Sequence, residues 1–124
     1  MAITKLYNKS GDDKAVKVQE SVEKKFGFLP ETFQAMGRNG DFLQAMLSLA
    51  ESAGKGLDAK TRELISVAVS AVAGCAYCLD THRAMALKAG ATDEEITAAL
   101  EVAAMMSAFN TFNKAIDLKR DITA

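Results

Sequence analysis

The chain has one proline, one histidine and no tryptophan among its 124 residues. With so little proline, few aromatics and abundant Ala, Leu, Glu, Lys and Met, the composition disfavours strands and predicts an all-α domain. It also has no surplus of charge of one sign. Its 15 basic and 16 acidic residues leave a formal net charge of -1, scattered along the sequence. No basic stripe exists to neutralise phosphates or to hold an anionic membrane surface, which argues against nucleic acid or a membrane as partner. The N-terminal MAITKLYNKSGDD lacks the apolar stretch of a secretory signal, and no run reaches the roughly 18 apolar residues of a membrane span. The expectation is a cytoplasmic protein. A chain of this length buries about two-thirds of its unfolded surface without covalent staples, so a single domain over residues 1–124 is expected and a stabilising disulfide is not required.

Helical periodicity can be followed through most of the chain. From Asp12 to Lys25, the positions Val16, Gln19, Val22, Glu23 and Phe26 recur at helical intervals, with a thin apolar stripe, and Gly27 supplies a left-handed stop. In FGFLPETFQAM, Pro30 sits where a first turn tolerates it, Phe33 and Met36 share one side, and the helix should end near Arg38 or Asn39. Asp41 is the candidate cap of a third helix, FLQAMLSLAES, with Phe42, Ala45, Met46 and Leu49 as its inward face. Asp58 caps a fourth, AKTRELISVAVSAVA, apolar nearly all round from Leu64 onward, the pattern of a helix enclosed by protein. Gly74 interrupts it, and a fifth helix is expected from about Ala76 to Ala89, closed by Gly90. The fourth and fifth helices then form a central antiparallel pair. Thr92 with Glu95 is a capping-box pattern opening EITAALEVAAMMSAF, and FNKAIDLKRD continues as helix after a bend near Asn110. No internal repeat, low-complexity tract or linker marks a second domain.

The chemistry concentrates in GCAYCLDTH, Gly74 to His82, which holds both cysteines and the only histidine. In a reducing compartment a CxxC is more often catalytic or metal-binding than structural. If Cys75 opens a helix, its sulfur lies near unpaired backbone N–H groups and the positive end of the helix dipole, both of which favour a thiolate. Cys78 lies close enough to reach disulfide geometry with it. His82 follows Cys78 at i+4, so its imidazole can sit over that sulfur and take its proton. The ring needs a polar group to fix its tautomer. Two antiparallel helices folded about Gly74 advance about 1.5 Å per residue, which brings Glu63 level with His82 to within about one turn. Arg62 is expected to point elsewhere. Glu63, His82 and Cys78 then form a proton relay ending on a sulfur that Cys75 can bridge. Direct contact with the base favours Cys78 as nucleophile and Cys75 as resolving thiol, whereas the helix terminus favours Cys75.

The run LDAKTRELISVAVSAVAGCAYCLDTHRAMALKAGATDEEI, Leu57 to Ile96, resembles the core of the alkylhydroperoxidase D-like (AhpD-like), or carboxymuconolactone decarboxylase, family. The pattern is a Glu twelve residues before the first Cys, then CxxC, a His four residues after the second Cys, and a GAT-x-EEI-like helix start, fitted by Glu63, Cys75, Cys78, His82 and Gly90. Weaker likeness extends from FLPETF at Phe28 to Asn113, a core of about 28–113. The resemblance implies an all-helical fold assembled as trimers or hexamers and a peroxidase with Glu63, His82 and Cys78 in the relay. It also implies a hydroperoxide substrate and electrons from a dithiol such as a lipoylated or thioredoxin-like protein. Tyr77 stands where the peroxidase branch carries a second histidine, and a phenol is a poor base near neutral pH.

Other readings of the same residues are blander. Two buried cysteines can be ordinary core, and Cys75, Cys78, His82 and Glu63 could make four zinc ligands. The fold has core enough without metal, and neither metal nor cofactor is expected. Leu100, Ala103, Met105, Met106, Phe109 and Phe112 read as core or subunit interface, and the DEE at Asp93 to Glu95 as helix-dipole and capping residues. An apolar content of 49% with helical faces such as Phe109 and Phe112 points to a homo-oligomer. Two functions compete with the peroxidase: a lactone decarboxylase working by acid-base chemistry, suggested by the other branch of the family, and a non-enzymatic redox-sensing oligomer.

Overall fold

The structure, a computed structural model, describes residues 2–123, and among these every regular element is helical. The helices are α1 (Asp13–Phe26), α2 (Glu31–Ala35), α3 (Gly40–Ser52), α4 (Ala59–Ala73), α5 (Ala76–Lys88) and α6 (Asp93–Lys114), with a 3₁₀ turn at Met36–Arg38 after α2. They group into two compact units, one running to Lys55 and the other starting at Gly56.

In the first unit α1 packs on α3 and on the 3₁₀ turn. Asp12 opens α1 by accepting from the Ala15 N–H at 2.8 Å, and its second oxygen accepts from the Gly40 N–H at the start of α3 at 2.9 Å. One carboxylate thus joins the starts of two helices. The thin stripe of α1 is explained by Gln19, which takes the central buried position between Ala15 and Val22. Its amide donates to the Tyr7 and Phe33 carbonyls and accepts from the Lys9 N–H, so the buried polar group is fully partnered.

Helix α3 departs from expectation twice. Its cap is Asn39, whose Oδ1 accepts from the Asp41 and Phe42 N–H groups, while Asp41 binds Lys14 at 2.7 Å. Its inward stripe is Gly40 and Leu43 with Leu47 half-buried, and the expected inward residues Phe42, Ala45, Met46 and Leu49 are exposed. The cause is the approach of α1: a Cβ at Gly40 would lie 2.5 Å from the Ala15 backbone nitrogen. Only glycine allows that contact, and it rotates α3 so that its phase follows Gly40.

In the second unit α4 packs on α5 and α6. Its core is Val67, Ala86, Ala91 and Ile96, with Leu64, Leu79 and Leu100 against it. Full burial of a side chain such as Val67 contributes about 1.5–3 kcal/mol. Asp58 caps α4 as expected, and α4 ends at Gly74, which takes φ 76° and turns the chain back antiparallel into α5. The capping box at Thr92 and Glu95 is present. Two expectations fail here. Helix α4 is not enclosed: Glu63, Val67 and Ser70 form its buried stripe, while Ile65, Val69 and Val72 are exposed on the other side. Helix α6 is continuous through Asn110 and stops at Lys114, short of the expected extension through Asp121.

Candidate active site

The site is built on the α4–α5 hairpin. Cys75 is the N-cap of α5, in extended backbone, and its Sγ accepts from the Cys78 N–H at 3.2 Å. The two sulfurs are joined as a Cys75–Cys78 disulfide across a Cα–Cα distance of 5.3 Å, within the usual range for a disulfide. Both residues are half-buried, so the bond is neither sealed in the core nor fully in solvent.

His82 lies one turn beyond Cys78 on α5, on the same side of the helix. Its Nδ1 is 2.7 Å from Oε2 of Glu63, which comes from α4 across the hairpin. The Glu63 side chain is only 4% exposed, against 29% for His82. An ionised carboxylate only accepts, so against it Nδ1 is the donor of this contact. Two antiparallel helices of equal rise about a one-residue αL turn account for the register: the two residues lie at comparable distances from Gly74.

Arg62 does not point elsewhere. Its guanidinium donates from NH1 to Oε1 of Glu63 at 3.0 Å, so the buried carboxylate holds a cation on one oxygen and the imidazole on the other. Adjacent helical residues diverge by about 100°, so spacing along the helix alone directs the two side chains apart. A long Arg stem can nonetheless curl back over the helix surface. The only signal in the sequence was a cation next to an acid at the edge of the buried stripe.

The helix starts that set this geometry are themselves anchored. The Asp58 carboxyl is held below its ordinary range by the Thr61 N–H and then the Thr61 hydroxyl. Glu95 is lowered by the Thr92 N–H and then by Lys60, whose Nζ reaches it at 3.0 Å and ties the start of α4 to α6. Among the described residues no group of three or more His, Cys, Asp or Glu side chains is arranged to hold a metal ion. Among the same residues no helix is long and apolar enough to cross a membrane.

The site is thus a helical hairpin with CxxC at the start of one helix and, from its partner helix, a Glu on the following His. The chain belongs to the carboxymuconolactone decarboxylase family, whose model matches residues 40–120. It is 37% identical over 105 residues to the uncharacterized protein 4 in the cox locus of Paracoccus denitrificans, covering 82% of this chain and 94% of that one. It is also 37% identical over 78 residues to the alkyl hydroperoxide reductase AhpD of Maricaulis maris, 61% of this chain but 45% of that protein. The fold matches the crystal structure of the alkylhydroperoxidase AhpD core from Rhodospirillum rubrum with a TM-score of 0.82 at 24% identity, over 98% of this chain and 95% of that one. The chain thus spans less than half the length of the Maricaulis reductase.

Proposed function

We propose that the protein is a thiol-dependent peroxidase or disulfide reductase of the alkyl hydroperoxide reductase type, cycling Cys75 and Cys78 between dithiol and disulfide. The observation that carries this reading is the 2.7 Å contact of buried Glu63 with His82, on the helix whose first turn holds the closed cysteine pair. In the reduced protein, Nε2 of His82 accepts the Cys78 proton. The Cys78 thiolate attacks the peroxide oxygen that carries the hydrogen; the O–O bond breaks, the sulfur becomes a sulfenic acid, and the departing alkoxide or hydroxide takes the proton that His82 had accepted, to leave as alcohol or water. The Cys75 thiol then attacks the sulfenic sulfur, closing the disulfide and releasing water. An external dithiol, of the lipoylated or thioredoxin-like kind, returns both sulfurs to thiols and becomes a disulfide itself. The Cys78 N–H on Cys75 Sγ supports Cys75 as the leaving thiolate in that step. The cytoplasm is the compartment where such a pair is regenerated.

The reading includes a homo-oligomer, supported by the exposed apolar side chains Ile65, Val69 and Val72 on α4 and Phe109 and Phe112 on α6. Peroxide-dependent turnover with dihydrolipoamide or a thioredoxin system is the test: it should vanish in Cys78→Ser, and equal activity in that variant rejects the reading. The family's lactone decarboxylase chemistry is the second reading, favoured by the family match and by an acid-base pair that needs no sulfur. There, activity on a carboxylated lactone survives replacement of both cysteines.

A further inference from the structure

Glu63 is nearly inaccessible to water yet carries two partners of different kinds, a permanent cation and a titratable ring. The charge on a buried carboxylate must be balanced locally. If the imidazole were the only partner, the balance would come from a proton on His82, and an imidazolium has no lone pair with which to take a proton from a thiol. Arg62 removes that conflict. The other cations nearby in sequence are committed elsewhere, Lys60 to Glu95 and Arg83 to Asp93.

We propose that Arg62 is a positioning residue of the relay: by balancing Glu63 it leaves His82 neutral, with Nδ1–H donated to the carboxylate and Nε2 basic. Glu63 then orients the ring without charging it. This assignment rests on the peroxidase reading for its use, though the charge balance itself does not depend on which reaction the site performs.

The chain contains a single histidine, so imidazole nitrogen NMR on untagged protein reports on His82 without assignment. Near neutral pH the reduced wild-type protein should show the neutral Nδ1–H tautomer. In Arg62→Gln the ratio of imidazolium to neutral ring should rise about tenfold, the scale of one unbalanced charge at hydrogen-bond distance. Arg62→Lys should restore the wild-type signal in large part. In a Glu63→Gln background, adding Arg62→Gln should no longer charge the ring, which separates charge balance from packing. Turnover should fall in kcat with little change in KM for Arg62→Gln, and recover in Arg62→Lys. A neutral ring in Arg62→Gln, or an imidazolium already present in the wild type, overturns the proposal. If no variant or wild-type protein reduces peroxide but the nitrogen signals behave as described, the peroxidase reading fails and the role of Arg62 stands.

Discussion

Replacing Glu63 by Gln conserves shape and removes charge, and the structure states what that does. The carboxylate accepts at both ends, from Arg62 at 3.0 Å and from His82 at 2.7 Å. A glutamine has one accepting end and one donating end. With its oxygen toward His82, its NH₂ group meets the guanidinium, donor against donor. With its oxygen toward Arg62, its NH₂ group faces Nδ1 and forces the ring into the other tautomer, placing the proton on the nitrogen that should be the base. A charge-assisted hydrogen bond contributes about 1.5–3 kcal/mol. Arg62 is about one-third exposed, so water can replace part of its bond. We therefore expect a stability loss of about 1–2 kcal/mol, read as a fall in Tm of about 4 °C per kcal/mol. The kinetic loss should be larger, because a positioned general base contributes about 10²–10⁴-fold. The assay is peroxide consumption with dihydrolipoamide, alongside a thermal melt of the reduced variant. A Glu63→Gln protein that keeps its wild-type kcat refutes the relay, whatever its melting temperature.

Brief peroxide exposure of the reduced protein should remove two hydrogens per chain and yield a Cys75–Cys78 linked peptide in mass spectrometry, reversed by dithiol; an unreactive pair would contradict the redox cycle. Gly40→Ala should destabilise the fold by about 1–3 kcal/mol in a denaturant titration, since the added methyl must displace the α1 backbone at Ala15 or the Asp12 carboxylate. The carboxyls of Asp12, Asp58 and Glu95 are all lowered by accepted hydrogen bonds, the largest from the Gly40, Thr61 and Thr92 N–H groups respectively. A lowered folded-state value means that the unfolded chain binds more protons in that range. Their contribution is therefore complete above the unfolded carboxylate range and lost as pH falls through and below about 4. Asp58→Asn keeps a capping oxygen but cannot titrate, so its Tm should decline less steeply with acid than the wild type's. Val69→Asp, on the exposed side of α4, should reduce the particle mass measured by light scattering if copies of the chain meet there; an unchanged oligomer excludes that face from the interface.

Most of the helices could be read from the sequence because their ends are local chemistry. Asp58, Gly74, Gly27 and the Thr92–Glu95 box act on backbone groups within a turn of themselves, and they stop or start helices where expected. The Glu63–His82 contact was legible for a related reason: the hairpin leaves little freedom in register, and helical rise is constant. The rotation of α3 could not be read that way. It is set by the contact of Gly40 with α1, a segment distant in sequence, and both phases of FLQAMLSLAES offer an apolar stripe. Burial of α4 on every side was likewise not legible, because apolar residues at Ile65, Val69 and Val72 look the same whether covered by this chain or exposed in it.

The sequence by itself determined the ends of α1 and α4 and the start of α6 through their caps, and the face shared by Cys78 and His82 and the pairing distance of Glu63 through spacing along one or two regular helices. Only the tertiary structure decided that Arg62 turns back onto Glu63. A flexible side chain can satisfy its charge in several directions, and the buried position of its carboxylate neighbour selects one.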